Sequence, residues 1–325
     1  MESATATAAP VRPTFAQRLR RGDQIAYLLT FAFAGLVLLL TVALAFELFD
    51  KSAAARHKFG WSFLFSQTWN PVTDEYGALG FIYGTVVTSA LALLLAVPLG
   101  VAVSVFLAEL APRKLSELMA LLVDLLAAVP SVIYGLIGIY VLVPLMRDPV
   151  APLLKDVLAP IPIVRHLVSG PAYGVGYLTA GLVLAVMIVP FIVSVSREVL
   201  LAVPREQREA ALALGSTRWE TTSKIVLPYA RVGITGGVFL ALGRALGETM
   251  AVTMVIGNRP DISTSLLAPG YSMAAVIANE FNEAAGMHME ALIEIGLTLF
   301  LLTMIINALA QIMILLTTSK ATRHA

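Results

Sequence analysis

Six long apolar runs limit what this chain can become: residues 25–48, 79–108, 117–146, 174–196, 232–257 and 291–317. Each exceeds the ~20 residues a helix needs to cross ~30 Å of hydrocarbon. Without water, every backbone N–H and C=O must be satisfied within the segment, so the runs predict helices. Composition agrees, with 58% of residues hydrophobic, only 13% charged and a mean hydropathy of +0.84. A soluble domain is nearer ~25% charged. The expected fold class is all-α integral membrane, with six transmembrane helices.

The flanking segments are polar. Residues 1–24 are rich in Ala, Thr and Pro and then basic, which predicts a tail disordered at its start. Residues 25–318 are expected to form the membrane domain and 319–325 a short C-terminal tail. The basic front of the first run, with Ala43-Leu44-Ala45, has some features of a signal peptide. The apolar stretch from Ile25 to Phe46 is longer than the usual ~7–15-residue core of such peptides, so it reads as a span. With the N-terminus inside, fourteen Lys and Arg fall in inside segments and seven in outside loops. This bias predicts both termini in the cytoplasm. Trp61 and Trp69, in the first outer loop, suit anchors in the lipid headgroup layer.

The segment between the fourth and fifth runs has a readable grammar. Pro204 suits a helix start, good helix formers run to Leu214, and Gly215 is a natural C-terminal stop. Thr217-Arg218-Trp219-Glu220 has the T-x-x-E pattern of a capping box, and Pro228 is expected to end the second helix. Residues 203–228 thus predict a helix, a glycine turn and a second helix, resting on headgroups or docking in a partner's groove.

The same residues carry a resemblance. Glu209-Ala210-Ala211, then Gly215, then Ile225-Val226-Leu227-Pro228 reproduce the spacing E-A-A-x3-G-x9-I-x-L-P, the EAA signature of ABC-importer permeases. "VPSVIYGLIG" (129–138) and "GRALGETMAVTMVIGN" (243–258) further resemble the C-type phosphate permeases of Pst systems. The resemblance covers residues 80 to 318 and implies the type I ABC importer fold with cytoplasmic coupling helices. It also implies an A-type permease subunit, two ATP-binding subunits and an extracytoplasmic phosphate-binding protein as partners. Glu209, Ala210, Ala211 and Gly215 would then be the ATPase contact. The sister A-type subunit and permeases for sulfate or molybdate remain open alternatives.

Other functions are narrowed by the residues. There is no G-x-x-x-x-G-K-[ST] sequence, so ATP binding through a P-loop needs another polypeptide. Cys is absent, which excludes disulfides and thiol chemistry. His57, His166, His288 and His324 fall in loops or the tail and read as solvated, so neither cofactor nor catalytic triad is expected. No basic block suggests nucleic acid. A membrane scaffold signalling phosphate status is a role the resemblance allows in addition, whereas a stand-alone secondary transporter would explain six spans and buried charges. Such a stand-alone transporter would not explain the EAA spacing.

Charges inside the apolar runs need a reason, since each costs about 2.5–3.5 kcal/mol at mid-membrane on insertion scales. Arg244 and Glu248 lie four apart in the fifth run, so they are expected to share one face of a helix. They are either a mutual ion pair or residues of a substrate pathway. Asp124, two turns into the third run, divides between pathway and helix pairing, and Glu294 is a weaker pathway candidate. Glu47 and Glu109 sit near span ends and read as structural. Pro130, with Gly135 and Gly138, predicts a kinked third span that either lines a pathway or packs closely. Gly233/Gly237 and Gly243/Gly247 form two G-x-x-x-G patterns, predicting close packing of the fifth helix.

The Cys-free chain allows a direct topology test. Ser169→Cys should react with an impermeant thiol reagent on intact cells, and Ser216→Cys only after permeabilisation. External labelling at 216 would reject the N-inside arrangement.

Overall fold

The computed structural model describes residues 23–158, 160–161 and 165–321. The expected N-terminal tail lies almost wholly outside these residues, as do the last four residues of the C-terminal tail. The helices are α1 (Asp23–Lys51), α2 (Ala53–Phe59), α3 (Ser62–Phe65), α4 (Leu79–Leu110), α5 (Arg113–Ala127), α6 (Ser131–Leu158), α7 (Tyr177–Leu201), α8 (Arg205–Ala213), α9 (Arg218–Leu246), α10 (Met250–Val255), α11 (Met273–Glu280) and α12 (Met287–Ala321). Two short antiparallel strands, β1 (Trp69–Asn70) and β2 (Glu75–Tyr76), pair Trp69 with Tyr76. Six helices, α1, α4, α6, α7, α9 and α12, are long and apolar enough to span a membrane.

Residues up to Asp50 form one compact unit and the remainder another. In the first unit, α1 exposes apolar side chains from Ile25 to Phe49, as suits a helix whose surroundings are hydrocarbon.

In the second unit α7 is the central helix. In its most apolar window 61% of residues are buried, against 33% or less for the other spans of that unit. Its neighbour α4 presents a seam of small residues, including Gly84, Ala92, Ala96 and Gly100, all buried. A Cβ at Gly100 would stand 2.7 Å from Cγ2 of Ile192, and one at Gly181 would stand 2.8 Å from Cβ of Leu91. Lipid is as apolar as leucine, so close backbone approach, rather than burial from water, holds such helices together. Two buried hydroxyls on the seam bond along their own helix, Thr85 to the carbonyl of Phe81 and Thr88 to that of Gly84, both at 2.8 Å. Thr85 Oγ1 also accepts the Met273 N–H at 2.9 Å, which fastens the start of α11.

Two spans differ from expectation. The third run is not one kinked helix: α5 ends at Ala127 and α6 begins at Ser131, with Pro130 at the N-cap of α6. Proline disfavours helical backbone at Val129, and the Tyr134 hydroxyl donates to the Leu126 carbonyl at 2.7 Å, satisfying an acceptor freed at the end of α5. Gly135 and Gly138 are close-packing positions, where a Cβ would stand 2.5 Å from Met254 Sδ and 2.6 Å from Val255 Cγ1. The fifth run also breaks. α9 stops at Leu246, residues 247–249 turn, and α10 resumes at Met250. Nor does Pro228 end a helix. A wider π turn over Thr222–Val226 precedes it, and α9 continues without interruption into the span.

Of the two G-x-x-x-G patterns, only the first packs as expected. A Cβ at Gly233 would stand 2.5 Å from Val199 Cγ1, and one at Gly237 would stand 2.7 Å from Val195 Cγ1, both on α7. Gly243 and Gly247 have no such neighbour, the closest atoms being at 3.9 and 3.7 Å.

At the opposite end from α8, the 257–272 loop closes over α4. Tyr83 donates to the Ser263 carbonyl at 2.9 Å, and Cβ atoms at Gly80 and Gly84 would strike the carbonyls of Pro260 and Tyr271. Gly84→Ala should therefore destabilise the protein by ~1–3 kcal/mol through overpacking. Gly236→Ala, with its nearest atom at 3.9 Å, should be neutral or gain ~0.5–1 kcal/mol from lower backbone entropy. Thermal unfolding of both variants in detergent checks the contrast.

Candidate coupling loop and translocation residues

The 203–228 segment is built by local chemistry. α8 ends in a Schellman turn: Gly215 has φ +90°, Gly215 N–H donates to Leu212 O at 3.0 Å and Ser216 N–H to Ala211 O at 3.2 Å. α9 begins with the expected capping box. Thr217 Oγ1 accepts the Glu220 N–H at 3.3 Å, and Glu220 Oε2 accepts the Thr217 N–H at 3.0 Å. Glu209 and Ala210 are exposed, as are the apolar Leu212, Leu214 and Trp219. Ala211 is buried and faces inward. It supports α8 from beneath and is not part of the exposed surface.

The Arg208 side chain, beside Glu209, turns the other way. Its Nη2 donates to Glu109 Oε1 at 2.8 Å and to the Leu200 carbonyl at 2.7 Å, while Nη1 donates to the Val203 carbonyl. Glu109 lies in the last turn of α4, so its structural role is an ion pair to α8.

Arg244 occupies the last turn of α9, and Glu248 lies in the break that follows. The two are not paired. Glu248 Oε1 instead accepts the Ala251 N–H at 3.2 Å, at the start of α10. Because the helix ends between them, the four-residue spacing no longer brings them together. Arg244 is exposed and forms no hydrogen bond or ion pair among the described residues. Both charges sit at favourable helix ends, a cation at a C-terminus and a carboxylate at an N-terminus, worth ~0.3–1 kcal/mol each. The α7–α9 register gives their depth. Gly233 faces Val199 and Gly237 faces Val195, so continuing antiparallel places Arg244 about level with Ile188, near the middle of α7.

Asp124 is in α5, not two turns into a span. Its Oδ1 accepts from the Ser194 hydroxyl of α7 at 3.0 Å, beside a small cleft that Ala120, Arg197 and Glu198 also line. No hydrogen bond or ion pair among the described residues links Asp124 to Arg244 or Glu248. Glu294 lies within α12, with its Oε2 3.6 Å from Arg56 Nε.

One cluster escaped the sequence reading. At the end opposite α8, Glu280 Oε2 accepts from Trp69 Nε1 at 2.9 Å and meets His288 Nε2 at 2.9 Å. Asn279 Nδ2 donates to the Tyr271 hydroxyl at 2.9 Å, and Tyr271 contacts Glu280 Oε1 at 3.4 Å. Burial pushes the Tyr271 phenol up to about 12, so it stays protonated and able to donate. His288, expected to be solvated, stacks on Tyr76 and is 15% exposed. Trp69 belongs to this cluster, while Trp61 is 81% exposed. His57 and His166 are exposed as expected, and His324 lies outside the described residues. Among the described residues no group of three His, Asp or Glu side chains is placed to hold a metal.

A helical membrane subunit with a capped two-helix turn between spans is the layout of an importer permease. The chain belongs to the family of binding-protein-dependent transport system inner membrane components, whose model matches residues 100–318. Similar relatives are the phosphate transport system permease proteins PstC of Mesorhizobium japonicum and of Xylella fastidiosa. The first is 48% identical over 94% of this chain and 93% of its own, and the second 46% identical over 91% of each. The corresponding protein of Pasteurella multocida is 46% identical over 87% of this chain and 88% of its own. Among solved structures, a bacterial ABC transporter that imports the acidic polysaccharide alginate superposes with a TM-score of 0.57 at 16% identity, covering 91% of this chain and 98% of that one. The MetNI methionine ABC transporter gives 0.54 at 16% identity, over 77% and 99%. The fold is that of type I ABC importer permeases.

The Schellman turn gives a specific expectation. At Gly215 space is open but φ is positive, so a non-glycine L-residue costs ~1–2 kcal/mol, and asparagine bears this most easily. Gly215→Asn should keep transport near normal and Gly215→Val should reduce it severalfold, measured as uptake by vesicles with equal permease content.

Proposed function

We propose that this chain is the C-type permease subunit of an ATP-driven phosphate importer of the bacterial plasma membrane, with both termini cytoplasmic. Residues 25–318 form its permease domain, and together with an A-type subunit it makes the translocation pathway. The exposed surface of Glu209, Ala210 and the Gly215 turn, with Leu212, Leu214 and Trp219 beside it, seats an ATP-binding subunit. Two such subunits hydrolyse the ATP, and an extracytoplasmic phosphate-binding protein delivers substrate to the opposite face. What supports the phosphate reading is the relatives' shared name and nearly full-length match. What supports the coupling reading is the exposed EAA surface on a rigid turn.

One observation carries the pathway reading: Arg244, a guanidinium with no internal partner among the described residues, at a break in α9 about halfway across α7. Transporters commonly bind substrate near the bilayer midplane where a spanning helix is interrupted. A guanidinium offers a planar fork of donors that matches two phosphate oxygens. Glu248, acceptor-only when ionised, takes a hydrogen bond from a protonated phosphate and repels an anion without a proton, which disfavours sulfate. Asp124 remains a candidate lining residue on the α8 side, through the cleft it shares with Ser194.

In proteoliposomes holding the whole importer, Arg244→Gln should abolish ATP-driven phosphate uptake while the complex still assembles. Arg244→Lys, with one compact charge, should restore a small fraction. Glu248→Gln should narrow the preference for phosphate over sulfate and molybdate measured side by side. Normal phosphate uptake by Arg244→Gln would remove Arg244 from the pathway.

A further inference from the structure

Arg208 is not a fixed position of the EAA pattern, yet it does what no other side chain of α8 does. Glu209 and Ala210 point outward, while the Arg208 side chain, 20% exposed, reaches back into the protein. Nη2 donates to the carbonyl of Leu200 at the C-terminal end of α7, and Nη1 to that of Val203 in the bend that follows. Helix ends leave such carbonyls without intrahelical partners, and a cation there is favoured by the helix dipole. Nη2 and Nε also meet Glu109 of α4 at 2.8 and 3.3 Å, and that carboxylate is only 11% exposed. One planar fork thus ties α8 to the ends of two spans that pack on each other. Lysine has a single compact ammonium and cannot reproduce this geometry.

The remaining connections of α8 are its two flanking turns and the buried Ala211 beneath it. Residues 202–204 form a bend into the helix, and the positive-φ turn at Gly215 leads out of it. Force applied at Glu209 and Ala210 would pass to the start of α9, on which α8 packs, while α4 and α7 are reached by side-chain bonds through Arg208. With Arg208 in place, α8 and the ends of α4 and α7 move as one body. We propose that Arg208, through Glu109 and the Leu200 carbonyl, is the positioning residue that transmits displacement of α8 to α4 and α7. The proposal rests on the reading of α8 as the ATPase contact.

The test uses the whole importer in proteoliposomes, with Ala210→Cys as a cross-linking site to a cysteine on the ATP-binding subunit. Phosphate moved per ATP hydrolysed is the readout. Removing one partner of a buried ion pair is strongly destabilising, whereas replacing both by apolar groups is often neutral. The informative variant is therefore Arg208→Met with Glu109→Leu, alongside Arg208→Lys. The double variant should cross-link and hydrolyse ATP within ~2-fold of the parent, while phosphate per ATP falls ~10-fold or more, a loss confined to coupling. Arg208→Lys should fall between. An unchanged ratio in either variant, with cross-linking intact, overturns the role of Arg208 and leaves the ATPase contact standing. If the double variant does not fold, Arg208→Lys alone decides by the same ratio. Absence of any cross-link in the parent overturns the contact, and the proposal with it.

Discussion

The close approach of α4 and α7 is the contact on which the rest of the membrane unit depends. Hydrocarbon gives no reward for hiding leucine, so two helices associate where small residues let their backbones come near. Gly100 against Ile192 and Gly181 against Leu91 provide that fit. With α7 fixed, α9 registers on it through Gly233 and Gly237, facing Val199 and Val195. The register then decides how deep Arg244 lies.

Two interruptions shape the other half of the molecule. The break between α5 and α6 and the break between α9 and α10 are neighbours, because α6 packs on α10 through Gly135 and Gly138. Each break exposes backbone groups that a continuous helix would have satisfied, and each supplies a local answer. Tyr134 reaches the Leu126 carbonyl in the first, and Glu248 reaches the Ala251 N–H in the second. Arg244 is left with its donors unused among the described residues, which is the electrostatic condition expected of a binding group and unusual for a structural one.

Much of this was legible in the sequence wherever the physics is local. The Gly215 turn and the Thr217–Glu220 box need only residues within one or two turns of each other, and both formed as expected. The six apolar runs needed only length and composition. The first break was hidden because an apolar run spans it, although Arg113, Lys114, Glu117 and Asp124 marked α5 as a poor span and Pro130 marked its end; the second was signalled by Gly247-Glu248-Thr249, which the helical spacing overrode. The Arg244–Glu248 spacing misled because it presumed a helix that stops at Leu246. The Arg208–Glu109 link joins residues 99 apart, and the Trp69–Glu280 bond residues 211 apart. A single sequence gives no signal for either.

The π turn before Pro228 has a mechanical meaning. Had that proline ended a helix, a joint would separate the Thr217 cap from the span. Instead α9 is one uninterrupted rod from Arg218 to Leu246, roughly 40 Å at ~1.5 Å per residue. The exposed turn at Gly215 lies just before its head, and Arg244 at its tail. A tilt carried through the π turn swings the guanidinium through an arc. Over that length, a few degrees displace the charge by about the length of a hydrogen bond.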